Sequence, residues 1–254
     1  MTGISAVIIT RNEAHNIKRC IASLHGVVDE VIVVDAESTD NTRELAAAHG
    51  AKVIVRAWTN YSDQKNFANE QACSPYILSM DADEALSPEL KDSLLEVIKA
   101  GPKGAFRFKR LTNYCGSWVR HGGWYPDSKI RLFTKQGTYW EGEHVHETLV
   151  LPPGTAVNDL DGDLLHYSYP TVASHEERIA RYSTLHAAGL HARGKKAGIV
   201  KRWLSPVAKF VQGYIVQLGL LDGWAGWKIA TLSARAVYLK YHKLHALNNA
   251  DANS

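Results

Sequence analysis

Short apolar, β-branched runs alternate with amphipathic stretches along the N-terminal part of the chain, and this alternation limits the fold more than any other feature. The runs lie at residues 4–9, 31–34, 52–55 and 76–80. Ser87-Pro88 marks a helix start, because it gives a capping hydroxyl followed by proline at the first helical position. Strand–helix–strand alternation predicts a parallel sheet with helices on both faces.

The pattern changes near Gly104. Two further strand-like segments, 105–109 and 129–133, lie between clusters of glycine and aromatic residues, and helical periodicity returns from Thr171. We therefore expect an α/β fold in which a Rossmann-like, mostly parallel sheet is flanked by helices and followed by a C-terminal helical extension. The predicted segments are a sheet-based domain at 1–170, a helical region at 171–247 and a flexible tail at 248–254.

Composition excludes several classes of protein. The formal net charge of +3 is too small for a dedicated nucleic-acid binder, so we expect no nucleic-acid partner. The three cysteines are widely spaced, which argues against a disulfide framework and favours the cytoplasm. The N-terminus shows no basic leader, so no signal peptide is expected. Pro206 and Lys209 interrupt the longest apolar stretch, 203–221, too strongly for a membrane span.

Two carboxylates follow the fourth apolar run, in the sequence YILSMDADEALSPEL. An extended chain would turn the side chains of Asp81 and Asp83 to the same side. Such a pair suits a divalent cation, Mg²⁺ or Mn²⁺, that keeps water ligands and bridges a diphosphate. The alternative is a turn followed by a helix cap, since aspartate is common after strands.

Three more polar segments are expected beside this pair, because a doubly wound sheet binds its ligands at the carboxyl ends of its strands. Carboxylates and amides there are suited to contact a base and a ribose, and Lys65 or Arg11 to contact phosphate. Asp40 can equally be only a helix cap, and Lys65 only a surface lysine. We interpret all three segments as strand ends: Thr10 to Glu13, Asp35 with Ser38 to Asp40, and Gln64 to Asn66.

The chain resembles family 2 glycosyltransferases with the GT-A fold in four successive segments: VIITRNEAHNI, VIVVDAESTDNT, QKNFA and LSMDADE. Later segments resemble the branch that glucosylates the lipopolysaccharide inner core: GGWYPDSKIRLF, HVHE, LLHYSY and GLLDGWAGWKIA. The resemblance extends over almost the whole chain, from about Ile4 to Leu247.

The resemblance implies a role for each matching residue. Lys65 falls near the base or the phosphates, and Asp81 near the ribose or the metal. Asp83 falls directly on the metal, and His166 matches a late histidine that forms a second metal or diphosphate contact. Uridine and ribose contacts fall on Thr10, Asn12, Glu13 and Asp35. The chain departs from the family in reading Asp-Ala-Glu-Ser where relatives have Asp-Ser-Gly-Ser, and in having Lys65 where arginine is frequent.

An inverting transferase needs a carboxylate that deprotonates the acceptor hydroxyl. The segment YWEGEHVHETLV offers Glu141, Glu143 and Glu147. The resemblance places the base at Glu147, and Glu143 is the second choice. His144 and His146 form a H-x-H pair that suits either a metal or packing on one face of a strand.

Gly122-Gly123-Trp124-Tyr125 lies between the donor motifs and the candidate bases. Glycines allow close backbone approach to a ligand, and Trp124 or Tyr125 is suited to stack on a sugar ring. A tight turn with a core aromatic residue is the alternative.

The C-terminal region combines basic and aromatic residues. A helix predicted over 228–247 gathers its basic side chains on about half of a helical wheel. With the aromatic residues between Trp203 and Trp227, this resembles a surface that lies on a membrane. Peripheral contact with the cytoplasmic face of the inner membrane, where a phosphorylated glycolipid acceptor would lie, fits that pattern. The alternative is a helical subdomain with ordinary basic solvent faces.

The motifs together with the resemblance predict an inverting, metal-dependent glycosyltransferase that takes a nucleotide sugar, and the resemblance alone implies a UDP-sugar. The resemblance implies glucose from UDP-glucose as the donor and a lipopolysaccharide core saccharide as the acceptor. A different nucleotide sugar or glycolipid is one alternative. A phosphohydrolase with an Asp-x-Asp motif is another, although Ala85 stands where threonine or valine is usual. A non-catalytic module that binds nucleotide sugars or lipid is the third.

Overall fold

The computed structural model describes residues 3–142 and 147–252. The strands of the described residues are β1 (Ile4–Thr10), β2 (Glu30–Asp35), β3 (Lys52–Val55), β4 (Tyr76–Asp81), β5 (Glu84–Leu86), β6 (Ala105–Tyr114), β7 (Ser117–Val119), β8 (Asp127–Thr134), β9 (Tyr139–Glu141), β10 (Thr148–Val150) and β11 (Val157–Tyr169).

The helices of the same residues are α1 (Ile17–Leu24), α2 (Thr42–Ala48), α3 (Tyr61–Gln71), α4 (Pro88–Ala100), α5 (Val172–Ala192), α6 (Ile199–Val211) and α7 (Gly223–Ala252). A π-helical turn, Gln212–Val216, and a 3₁₀ turn, Gly219–Asp222, connect α6 to α7.

The main sheet has the strand order β3-β2-β1-β4-β8-β6-β11-β5, and β7 pairs with β6. The first four strands are parallel, because α1, α2 and α3 provide the crossovers that parallel neighbours need. β8 runs antiparallel to both β4 and β6, and β9 and β10 form a separate antiparallel ribbon. The predicted α/β, GT-A type of architecture with a C-terminal helical extension is confirmed.

Helices cover both faces of the parallel strands. Ile4 and Ile8 of β1 belong to a buried cluster that includes residues of α1, α2 and α4. Val7, on the opposite face of the same strand, belongs to a second cluster with Ala68 of α3. Burial on both faces explains why these strands read as continuous apolar runs in the sequence.

One predicted strand end is wrong. Gln64 to Asn66 lie inside α3 rather than after a strand. The side chain of Asn60 accepts a hydrogen bond from the amide of Asp63, so the helix is capped at Asn60 and begins at Tyr61.

Contacts divide the chain into two units, which differ from the predicted segments. The first comprises Met1–Arg110 and Asp127–Tyr167, and the second Leu111–Pro126 and Ser168–Ser254. The boundary at 170 stays a prediction. α7 continues to Ala252, so helix extends into the range predicted as a tail. In the described ranges, no helix combines the length and the apolar content needed to cross a bilayer.

Gly162 of β11 has a φ of 91°, and a Cβ there would lie 2.2 Å from the amide nitrogen of Leu90 in α4. We expect Gly162→Ala to lower the free energy of unfolding by about 3 kcal/mol, from the left-handed backbone plus the backbone clash. Gly50→Ala is the matched control, because its φ is 86° but nothing lies within 4 Å of the added Cβ. Urea denaturation of both variants measures the difference, and equal losses would contradict the clash.

Candidate functional site

Polar residues end three adjacent parallel strands of the first unit. In the register of the sheet, Thr10 of β1 lies opposite Asp35 of β2, and Ile9 lies opposite Asp81 of β4. The structure therefore brings Thr10, Asp35 and Asp81 to one carboxyl edge, as the sequence predicts for a doubly wound sheet.

The loops after β1 and β2 are tied to each other by side chains. Asn12 has a φ of 56°, and its side-chain oxygen accepts a hydrogen bond from the amide of Thr39 at 2.8 Å. The Ser38 hydroxyl accepts from the amide of Asn12 at 2.8 Å. The amide of Glu13 donates to the Thr42 hydroxyl at 2.9 Å. The predicted nucleotide contacts Asn12 and Glu13 therefore belong to a preformed loop.

Asp35 and Thr10 differ in how their side chains are used. The carboxylate of Asp35 is fully buried and accepts hydrogen bonds from the amide and the hydroxyl of Ser38. The hydroxyl of Thr10 is also buried, but it has no hydrogen-bond partner among the residues that the structure describes. A buried polar atom without a partner is costly unless a ligand or water satisfies it. The Thr10 hydroxyl is therefore available to hydrogen-bond a ligand, whereas the Asp35 carboxylate already accepts hydrogen bonds from Ser38.

The two carboxylates of the Asp-Ala-Asp sequence do not lie on one extended strand. Asp81 ends β4, the chain turns at Ala82 and Asp83, and Glu84 begins β5. The expectation of one extended strand through both residues is wrong, because the chain turns at Ala82 and Asp83. Asp81 contacts Arg131 of β8 and Lys65 of α3, whereas Asp83 contacts His166.

Arg131 of β8 is the cation nearest to Asp81. Its Nη2 lies 2.5 Å from Asp81 Oδ2 and 2.5 Å from Glu84 Oε1, and the side chain is only 3% exposed. Arg110 Nη1 lies 3.3 Å from the same Glu84 oxygen. The amide of Asp81 donates to Glu84 at 3.0 Å. Arg131 and Glu84 thus fix the end of β4.

Charge around Asp81 determines its ionisation. Burial favours the neutral acid, but Arg131, then Lys65 and Arg110, outweigh burial and hold the pKa of Asp81 well below its usual range. Burial likewise opposes the charge on Arg131, yet Asp81 and Glu84 raise the pKa of that guanidinium further. Asp81 is therefore a carboxylate, and Arg131 a cation, at neutral pH.

Lys65 of α3 connects the predicted base to the strand end. Its Nζ lies 3.2 Å from Glu147 Oε1 and 3.6 Å from Asp81 Oδ1. It also lies 4.4 Å from the centre of the Trp140 ring, and its side chain is 5% exposed. The alternative of a solvated surface lysine is wrong, since Lys65 is buried between two carboxylates and an aromatic face.

Asp83 and His166 form a separate contact pair beside the Asp81 cluster. His166 of β11 pairs with Glu84 of β5, and its Nε2 lies 3.3 Å from Asp83 Oδ2. Both side chains keep partial solvent access. Across the described ranges, no cluster of three or more histidine, cysteine, aspartate or glutamate side chains has the geometry of a metal site.

Trp124 belongs to the second unit, whereas the other described candidates belong to the first. Its ring lies 5.3 Å from Tyr169 and 6.0 Å from Tyr114, and it borders a small pocket that also includes His121 and Lys209. Burial lowers the pKa of neighbouring His175 to about 4, so that ring is neutral near pH 7. Trp124 is thus partly a packing residue and partly a pocket wall.

Glu143, His144 and His146 lie outside the described residues. Glu141 ends β9 and is exposed. Of the two described glutamates of this segment, Glu141 and Glu147, the second is connected to Asp81 through Lys65.

The sequence prediction missed Arg131 and Glu84. Arg131 carried a signal, because a charged residue between apolar neighbours in a strand must find a partner when buried. Glu84 begins the short run EAL, each residue of which is buried. A third carboxylate next to the Asp-Ala-Asp sequence could have been paired with that arginine.

Known proteins identify the class. Residues 5–149 match the model of glycosyl transferase family 2, and the chain belongs to this family. An uncharacterised glycosyltransferase of Rickettsia typhi is 31% identical over all of this chain and 90% of its own length. The lipopolysaccharide core biosynthesis glycosyltransferase LpsC of Rhizobium meliloti is 29% identical over 98% of this chain and 96% of its own length.

A more distant solved structure is glucosyl-3-phosphoglycerate synthase of Mycobacterium tuberculosis in complex with Mn²⁺, UDP and phosphoglyceric acid. It is 25% identical, covers 45% of this chain and 44% of that chain, and has a TM-score of 0.36.

Proposed function

We propose that this family 2 glycosyltransferase transfers a sugar from a UDP carrier to a lipopolysaccharide inner-core saccharide with inversion at the anomeric carbon. Glucose is the sugar to test first. The observation that carries the proposal is the Glu147–Lys65–Asp81 chain of contacts, which connects a candidate base to the edge where a doubly wound sheet binds its ligand. Similarity to LpsC over nearly the full chain supports the acceptor class.

Asp83 and His166 suit a divalent cation better than Asp81 does. Both oxygens of Asp81 face cations, Lys65 at 3.6 Å and Arg131 at 2.5 Å. Asp83 presents a partly exposed carboxylate beside an imidazole nitrogen, and carboxylate oxygens are what Mg²⁺ and Mn²⁺ prefer. The two residues would hold the cation, with Asp81 beside it. When bound, the cation would neutralise charge on the diphosphate.

The chain's own groups supply the remaining steps. Glu147 takes the proton of the acceptor hydroxyl, the acceptor oxygen bonds to the anomeric carbon, and the bond from that carbon to UDP breaks. Lys65 holds the Glu147 carboxylate in place. The hydroxyl of Thr10, which has no hydrogen-bond partner in the described part of the chain, forms the nucleoside end of the site with Asn12, Glu13 and Asp35. Trp124 is proposed as a stacking surface for a sugar ring.

The location follows from the acceptor. A lipid-carried core saccharide is met at the cytoplasmic face of the inner membrane, so peripheral contact with that membrane is part of the proposal. Membership of the glycosyltransferase family favours transfer over the phosphohydrolase alternative. A silent binding module would bind UDP-sugars without turnover.

Thermal unfolding with UDP and Mn²⁺ tests the donor site. A ligand at a hundred times its dissociation constant stabilises the native state by about 2.7 kcal/mol, which raises the melting temperature by several degrees. We expect this metal-dependent rise in the native chain and its loss in Asp83→Asn. Asp161→Asn is the matched control, because Asp161 is an exposed aspartate of β11.

The outcomes separate the alternatives. No stabilisation by UDP, GDP or ADP with either metal would overturn the donor site. Equal stabilisation of the Asp83→Asn variant and the native chain would show that Asp83 is not a metal ligand. Stabilisation by UDP-glucose without release of UDP in the presence of core saccharide would indicate the binding module.

A further inference from the structure

Helix α6 exposes most of its apolar side chains to solvent, unlike a typical surface helix. Helices in soluble proteins bury their apolar stripe and expose their polar side. In α6 no residue is buried, and the apolar side faces solvent. Six side chains, which we call the α6 apolar face, are 43–71% exposed: Ile199, Val200, Trp203, Leu204, Val207 and Val211.

The side of α6 that faces α7 is next to this apolar face and meets it at Trp203, whose ring lies 5.6 Å from Tyr238 of α7. Lys209 borders a pocket with Ile229 and Ser233 of α7, and the Phe210 ring lies 5.4 Å from Trp227. Arg202 is also turned inward, with its Nε buried. Packing against α7 therefore uses Arg202 and Lys209 beside aromatic residues, while most of the area of the apolar stripe on the same helix stays exposed. Such exposure indicates that the apolar stripe contacts an apolar partner outside this chain.

The apolar surface continues beyond α6. The two turns that connect α6 to α7 expose a further set of aliphatic residues, and α7 begins with two exposed tryptophans. These are Ile215, Val216, Leu218, Leu220, Leu221, Trp224 and Trp227. Isolated exposed apolar residues are ordinary, but a contiguous set in consecutive elements marks an interaction surface. Tryptophan is typical of the boundary between lipid and water.

Charge identifies what this surface contacts. Residues 178–254 contain twelve lysines and arginines against two acidic residues, Asp222 and Asp251. The rest of the chain contains 17 basic and 24 acidic residues, so the basic charge is concentrated in one part of an almost neutral protein. A second copy of the chain would bring like charge against like charge. An anionic lipid surface attracts each basic residue near it.

We propose that the α6 apolar face and the turns after it insert into the headgroup region of an anionic lipid bilayer. The helix lies in the plane of the membrane, and the surrounding lysines and arginines contact the lipid phosphates. The inference specifies the surface behind the membrane contact of the proposed function, and it rests on that function only for the reason why a lipid surface is visited.

Vesicle flotation of the full chain tests this inference. We expect binding to phosphatidylcholine vesicles that contain phosphatidylglycerol, weak binding to pure phosphatidylcholine, and release by salt. The double variant Val200→Asp with Leu204→Asp should lower the partition coefficient by about 100-fold, because each buried aliphatic side chain contributes about tenfold. Val216→Asp should lower it by about tenfold and disturbs a different element.

Leu185→Asp is the matched control, because Leu185 is 57% exposed on α5 and outside the proposed surface. It should bind vesicles as the native chain does. Absence of binding to anionic vesicles, or equal binding of native and double-variant chains, would overturn the proposal. A native dimer that the double variant converts to a monomer without lipid would show an interface between copies instead. Stabilisation by UDP and Mn²⁺ is read separately, so failure of the donor site is distinguishable from failure of membrane insertion.

Discussion

Glu147→Gln should abolish sugar transfer while leaving UDP binding unchanged. The amide keeps the size of the side chain but cannot take the proton of the acceptor hydroxyl. General base catalysis typically contributes about 10² to 10⁴ in rate. We therefore expect kcat for transfer from UDP-glucose to a core saccharide to fall by about 10³-fold, with the thermal stabilisation by UDP and Mn²⁺ retained.

The retained binding is the informative half of this prediction. Lys65 contacts both Glu147 and Asp81, so a merely structural role of Glu147 would disturb the donor site as well. A loss of kcat without a loss of UDP stabilisation separates proton transfer from support of Lys65. A parallel loss of both would assign Glu147 a positioning role.

Two further variants locate the base among the neighbouring glutamates. Glu141→Gln changes an exposed carboxylate of β9 in the same way and should leave kcat within about twofold. Glu143→Gln tests the second candidate. Full activity in Glu147→Gln together with loss in Glu143→Gln would move the base to Glu143.

The parallel half of the fold could be predicted because its central strands, β1, β2 and β4, are buried on both faces. Such strands must be apolar throughout, so β1, β2 and β4 stand out as runs that end in polar residues. Their polar ends then meet because parallel strands share one carboxyl edge. The apolar runs and the polar residues that end them are both visible in the local sequence.

Helix α3 could not be predicted in the same way. Its buried side includes Gln64, Lys65 and Asn69, so the apolar periodicity that marks an amphipathic helix is missing. Lys65 can be buried there because it pairs with two carboxylates. Burial of paired charges and amides therefore replaces the apolar pattern that would have identified this helix.

Contacts between residues far apart in the sequence could not be predicted either. Arg131 and Asp81 are 50 residues apart, and their contact depends on the antiparallel register of β8 against β4. In α6, the sequence shows an apolar stripe but not that the stripe faces outward. Direction is decided by packing against α7, which hydropathy does not encode.

Arg131→Met should lower the free energy of unfolding by as much as Gly162→Ala, but through charge rather than through a backbone clash. The arginine bridges two carboxylates, and Arg131 and Glu84 are almost fully buried. Removing one partner of a buried ion pair leaves charge without compensation and costs about 3–5 kcal/mol. Asp81 is partly exposed, so we expect about 3 kcal/mol by urea denaturation at neutral pH. Arg107→Met is the matched control, because Arg107 pairs with Asp159 in an exposed contact and should change stability little.

The pH dependence separates the loss of charge pairing from a loss of packing. In the native chain the pKa of Asp81 is below its usual 3.8, so its contribution to stability is present above that pH and is lost in stronger acid. Without Arg131, burial is opposed by Lys65 and Arg110, and the pKa of Asp81 rises. The stability difference between native and Arg131→Met chains should therefore be constant near neutral pH and shrink as the pH falls through the pKa of Asp81 in the variant toward its lower pKa in the native chain. A difference that stays constant with pH would mean that Arg131 acts through the packing of its side chain, and the assignment of Asp81 as a charge-held carboxylate would then be wrong.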